Sequence, residues 1–123
     1  MSENNNDIDL TFLYEIADGS DEFIVESIAM FLDQSPQIMQ EIDVALKAQD
    51  WAIAAAAAHK IKANLGFFGM LNSQAIIQEI EHACKAGNPN PAEITAKFNE
   101  VSGIINASLL TLEKIKAEKE VNL

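Results

Sequence analysis

Residues 51–70 read WAIAAAAAHKIKANLGFFGM. Alanine is the strongest helix former, yet five in a row lead directly into a histidine, two lysines and two glycines. Each helical residue turns about 100° from the last, so with Ile61 at the centre of one face, Ala54, Ala57, Ala58, Leu65 and Phe68 fall within about 60° of it. This stripe holds the large apolar side chains Ile61, Leu65 and Phe68 and predicts the buried face. His59 falls about 160° from Ile61, near the middle of the opposite face. Its neighbours there are Ala52, Ala55, Ala56, Ala63 and Gly66, with Lys60 and Lys62 on the flanks. A solvent-facing helix stripe ordinarily carries Glu, Lys and Gln. Methyl groups around one imidazole instead form a flat collar on which another protein can sit. Propensity accounts for part of the alanine run. It does not account for Gly66, which costs a helix roughly 0.5–1 kcal/mol relative to alanine.

The rest of the chain also carries helix signals. It has three prolines and five glycines, placed mostly at breaks, and no sustained apolar/polar alternation that would mark a strand. Residues 1–7 read as a disordered polar tail. A short helix is expected over 8–17, stopped by Asp18-Gly19. Ser20 caps the next, with Asp21 and Glu22 suited to its dipole. Its apolar residues Phe23, Ile24, Ile28, Phe31, Ile38, Ile42 and Leu46 recur at helical spacing to about residue 49, with a kink expected at Pro36. Asp50 caps the alanine helix and Gly69 ends it. A fourth helix spans about 71–86, the Gly87-Asn88-Pro89-Asn90-Pro91 loop follows, and the last helix runs from about 92 to 118. Its inner face is Ile94, Phe98, Val101, Ile104, Ile105, Leu109, Leu112 and Ile115. Four substantial helices on short connections predict an all-α, antiparallel four-helix bundle with a short additional N-terminal helix. Residues 8–119 form its single domain. Leu10, Phe12, Leu13 and Ile16 are expected to cover the broad apolar stripe of the second helix.

Composition narrows the partners. The 123 residues carry 19 acidic against 8 basic side chains, a formal net charge of -11. Such a surface repels phosphate backbones and anionic membranes, so neither nucleic acid nor membrane is an expected partner. No run approaches the ~18 apolar residues of a membrane span, and the acidic start does not read as a secretory signal. One cysteine, Cys84, excludes an internal disulfide and suits a reducing cytoplasm.

The stretch AHKIKANLGFFG, residues 58–69, resembles the signature of histidine-containing phosphotransfer (HPt) domains, A-H-x-[hydrophobic]-K-[small]-x-x-x-x-[hydrophobic]-G. Ala58, His59, Ile61, Lys62, Ala63, Phe68 and Gly69 match it. Upstream, FLDQSPQIMQEIDVALKAQDW, residues 31–51, looks like that family's second helix with its mid-helix proline. The resemblance spans about residues 8–115. One departure is Ala63, where the family usually has glycine.

The resemblance implies that His59 carries a phosphoryl group, taken from a receiver-domain aspartate and passed to another. Lys62, one turn on, would offset phosphoryl charge, with Lys60 and Lys85 as weaker helpers. A ring-orienting acid or amide on the next helix is implied; Glu81 is the best match by counting, with Gln78 one turn earlier as the alternative. Partners would be response-regulator receiver domains and a hybrid sensor histidine kinase, with the chain itself a monomer. No cofactor of its own is expected, the Mg2+ being the receiver's. The chain has no Gly-rich phosphate loop or Walker lysine, so no autonomous kinase activity is expected.

Two other readings compete. Glu79-Ile80-Glu81-His82 contains the Glu-x-x-His element that di-iron bundles carry twice, but the second copy is missing, since Ala56 stands three before His59. The other is a non-catalytic four-helix-bundle interaction module. Cys84 has no base beside it in sequence and reads as packing.

Overall fold

A computed structural model describes residues 6–123. Five helices follow in order: α1 (Thr11–Ala17), α2 (Asp21–Lys47), α3 (Trp51–Phe67), α4 (Leu71–Lys85) and α5 (Pro91–Glu120). Side chains set where they start. Ser20 accepts from the Phe23 N–H at 3.1 Å, and Asp50 accepts from the Ile53 N–H at 3.3 Å. Asn90 accepts from both Ala92 and Glu93, with Pro91 in the first turn where its missing N–H costs nothing. Asp18 ends α1 in the left-handed conformation (φ 50°). Gly69 makes the turn after α3 at φ +68°, and a Cβ there would run into the Asp9 backbone carbonyl. This position excludes any other residue on both grounds.

The four long helices form a ring. Each packs on its neighbour in sequence, and α5 closes against α2 while α1 leans on α2. The short connections make consecutive helices antiparallel, and the expected all-helical bundle is the architecture observed. Its core is drawn from the expected faces: Ile24, Ile28, Phe31 and Ile42 from α2, Ile61 and Leu65 from α3, Ile77 and Ile80 from α4, and Ile94, Val101, Ile105 and Leu112 from α5. No helix among the described residues is long and apolar enough to cross a membrane.

The structure departs from the sequence reading at two places, both around α1; Pro36 lies inside α2, where the spacing put it. Proline removes the bond to the carbonyl four residues back, and the Gln37 side chain donates to the neighbouring Asp33 carbonyl at 2.9 Å. The helix α1 starts three residues later than expected, because residues 7–9 spend their polar groups elsewhere. The Asp7 N–H donates to Ser108 Oγ at 3.0 Å, its carboxylate accepts the Ser73 N–H at 2.7 Å, and the Asp9 N–H donates to the Phe68 carbonyl at 3.2 Å. Asp7, assigned to the tail from sequence, is thus fastened to α4 and α5; the expectation for residues 1–5 lies outside the described residues. Finally, α1 covers α2 with Leu10, Leu13 and Ala17, which are buried, whereas Phe12 and Ile16 are exposed. Two turns offer one inward face, and Leu13 occupies it.

Candidate functional site

The buried face of α3 is the one centred on Ile61: Ala54, Ala57, Ala58, Ile61, Leu65 and Phe68 are all buried. His59 therefore projects outward, with its side chain 67% exposed. Beneath it lies Glu81 of α4, a carboxylate only 1% exposed. Three donors converge on it. His59 Nδ1 is 2.9 Å from Oε2, Lys62 Nζ is 2.7 Å from Oε1, and Lys85 Nζ is 2.9 Å from Oε2. Burial pushes the Glu81 carboxyl up, but the bonds from Lys62, Lys85 and His59 outweigh it and hold the group down at about 2. The carboxylate is ionised at neutral pH and can only accept.

That fixes the imidazole. Nδ1 must carry the proton that meets Oε2, so in the neutral ring Nε2 holds the free lone pair and points away from Glu81. Two ammonium groups against one carboxylate leave a net positive spot beside the ring, on a chain whose formal charge is -11. An exposed nucleophilic nitrogen next to local positive charge is suited to take and hold an anionic group.

A family model, the Hpt domain, matches residues 26–114. The chain belongs to the Hpt domain family. Its role accordingly lies in phosphotransfer within two-component signalling, where Hpt domains work with receiver domains and kinases. No curated protein and no solved structure matches the chain.

Within this Hpt domain the sequence-derived site residues separate into two groups. His59, Lys62 and Glu81 come together, and Gln78 is exposed and takes no part. Ala52, Ala56 and Ala63 lie exposed around the ring, as expected. Lys60 is also exposed but turns from the ring to Glu41 of α2, at 2.8 Å. Ala55, expected on the open face, is buried at 4% exposure against α4. The space over Gly66 is likewise taken, by the side-chain amide of Gln74.

Both corrections have one cause. Ala55, Lys62 and Gly66 sit about 100–140° from Ile61 on one flank, whereas Lys60 and Ala56 sit on the other. The fourth helix covers the first flank. Sequence reasoning missed Gln74 altogether. Its signal was its spacing: it precedes Glu81 by seven residues and so shares the same face of α4. Lys85 is closer to the site than sequence suggested, being the i+4 partner of Glu81. Glu79 of the Glu-x-x-His element bonds Lys97 of α5 at 2.8 Å, on a different face of α4 from Glu81.

Proposed function

We propose that this Hpt domain is a phosphorelay intermediate that takes a phosphoryl group from a receiver-domain aspartate onto His59 and returns it to a second receiver. The observation that carries this reading is the exposed imidazole whose Nδ1 is held by the buried Glu81 carboxylate, with Lys62 and Lys85 on the same anchor. In the forward step the Nε2 lone pair attacks the phosphorus of the aspartyl phosphate. A bond forms between Nε2 and phosphorus, and the bond from phosphorus to the acyl oxygen breaks. The aspartate leaves as a carboxylate. Because Nε2 starts without a proton, none has to leave the ring. The product ring is cationic, and its Nδ1–H remains on Glu81, which favours the charged form. Lys62, 22% exposed, is close enough to share its charge with the incoming phosphoryl. The receiver supplies its own Mg2+ and acceptor aspartate, and a hybrid sensor kinase stands upstream.

Incubating the chain with a phosphorylated receiver tests this directly. Label should pass to it, persist in alkali and be lost in acid, as a phosphoramidate requires. Absence of transfer from receivers that remain phosphorylated would favour the non-catalytic interaction module. An apolar groove of about 350 Å³ between α2 and α3, lined by Phe23, Met30, Phe31, Phe67 and Phe68, gives that alternative its one specific support.

The exposed alanines give a further prediction. Ala63 follows His59 by one turn on the same face and is exposed. Ala63→Trp should melt within about 0.5 kcal/mol of the parent, as surface changes do. A displacement of 1 Å at a reacting centre can cost about 100-fold, so phosphate uptake should slow by about tenfold or more. Ala56→Trp should act in the same sense, more weakly, because Ala56 borders a groove with Cys84 and Lys85 that the indole can enter. Stopped-flow or gel-resolved transfer beside thermal melts checks both. Parent-like transfer by a folded Ala63→Trp would show that the small residues serve the helix alone.

A further inference from the structure

Lys62 is attached to α4 at both ends. Its ammonium meets Glu81 Oε1 at 2.7 Å, and its backbone carbonyl accepts from the Gln74 side-chain amide at 3.0 Å. A carbonyl has two lone pairs, so the Gln74 bond adds to the helical one without competing with it. The amide reaches that carbonyl by crossing Gly66. A Cβ on residue 66 would stand 2.6 Å from Gln74 Nε2 and 3.5 Å from Gln74 Cδ. The first distance is closer than two unbonded atoms tolerate, so with any other residue at 66 the amide, at the end of a flexible side chain, must move off its present position. Gly66 has an ordinary negative φ and no turn to make. Glycine weakens a helix interior relative to alanine, and what the missing methyl provides here is passage for Gln74.

We infer that Gln74 is a positioning residue: threaded over Gly66, its amide clamps the Lys62 carbonyl, fixes the register of α3 on α4, and thereby keeps His59 Nδ1 on Glu81. The inference rests on the reading of His59 as the phosphoryl acceptor. Packing of Ile61, Leu65, Ile77 and Ile80 sets the register of α3 on α4 coarsely, and the flexible Lys62 stem leaves only small slides and rolls open. A second attachment, on the backbone of the same residue, restrains both. The His59–Glu81 bond is 2.9 Å long, and hydrogen bonds tolerate only a few tenths of an ångström before they weaken. Register is therefore what the tautomer depends on. Among the described residues, Gln74 makes no hydrogen bond to the ring or to Glu81.

Nitrogen-15 spectra of the His59 ring test this, recorded for the parent, Gln74→Ala, Gly66→Ala and the double variant, with transfer from a phosphorylated receiver measured on the same samples. The parent ring should be in the Nδ1–H form. Gln74→Ala should move the tautomer ratio toward Nε2–H by about fivefold, the worth of one net hydrogen bond, and slow transfer by a similar factor. Gly66→Ala should reproduce both effects although it adds only a methyl group. The double variant should be no worse than either single one, because both changes remove one contact. Additive losses, or an unchanged ring spectrum in folded single variants, would overturn the clamp. Where Gln74→Ala fails to fold, Gly66→Ala carries the same test with Gln74 in place. A parent that takes up no phosphate overturns the phosphotransfer reading instead, and the ring spectra still decide on the clamp.

Discussion

A His59→Gln variant is expected to fold like the parent and to accept no phosphoryl group from any receiver. The folding half follows from position. The side chain is 67% exposed, and the glutamine amide can still donate toward Glu81, so melting should move by no more than about 0.5 kcal/mol. The chemical half follows from what the amide lacks. Its nitrogen lone pair is delocalised and cannot attack phosphorus, and the only other histidine, His82, lies exposed without the Glu81 anchor. Circular dichroism and a transfer assay on one preparation check both halves. Residual labelling at more than background would place the acceptor elsewhere.

Glu81→Ala should damage both stability and transfer. Removing the carboxylate leaves Lys62, mostly buried, without its counter-charge, while Lys85, 60% exposed, turns to water. Breaking a fully buried pair costs about 3–5 kcal/mol. With one lysine in solvent, the expectation is about 2 kcal/mol. Transfer should fall by roughly 100-fold, since the ring loses both its orientation and its fixed tautomer. Glu81→Gln, which keeps an acceptor for Nδ1–H but not the charge, should lie between.

The same group sets an acid limb. Its carboxyl is held from an ordinary 4.5 down to about 2. The contribution is therefore fully present above about pH 4.5 and fades as pH falls toward about 2. In Glu81→Gln that part of the limb should be missing. Chemical denaturation at pH values across this window measures it. A parent and a variant with parallel acid limbs would show that Glu81 is not the anchor.

Much of the fold was legible because local chemistry marks it. Ser20 and Asp50 announce helix starts by their side-chain acceptors, and Ile61, Leu65 and Phe68 announce a buried face by their spacing. The site was legible in part for the same reason: His59 and Lys62 lie on one helix, where periodicity relates them. Ala55 shows where this stops. Its angle from Ile61 is about 120°, nearly the mirror of Ala56 on the other flank, and a single helix's period cannot say which flank a neighbour covers. That depends on the handedness of the ring of helices. Glu81 could be counted to, but the choice over Gln78 needed the α3–α4 register. Spacing could put Gln74 on the Glu81 face of α4, but neither its partner nor that of Asp7 could be read, because each acts on a backbone group of another element, Lys62 and Ser73. Backbone groups leave no trace in residue type.

We propose His59 as the acceptor, with Glu81 holding Nδ1 so that Nε2 is left to react. The most direct measurement is a phosphorus–nitrogen correlation spectrum of the nitrogen-15-labelled chain after phosphorylation by a receiver. One phosphoryl group is expected, bonded to Nε2 of His59, with the Nδ1 proton still on the ring. A phosphoryl group on Nδ1 of His59, on His82 or on a carboxylate would contradict it.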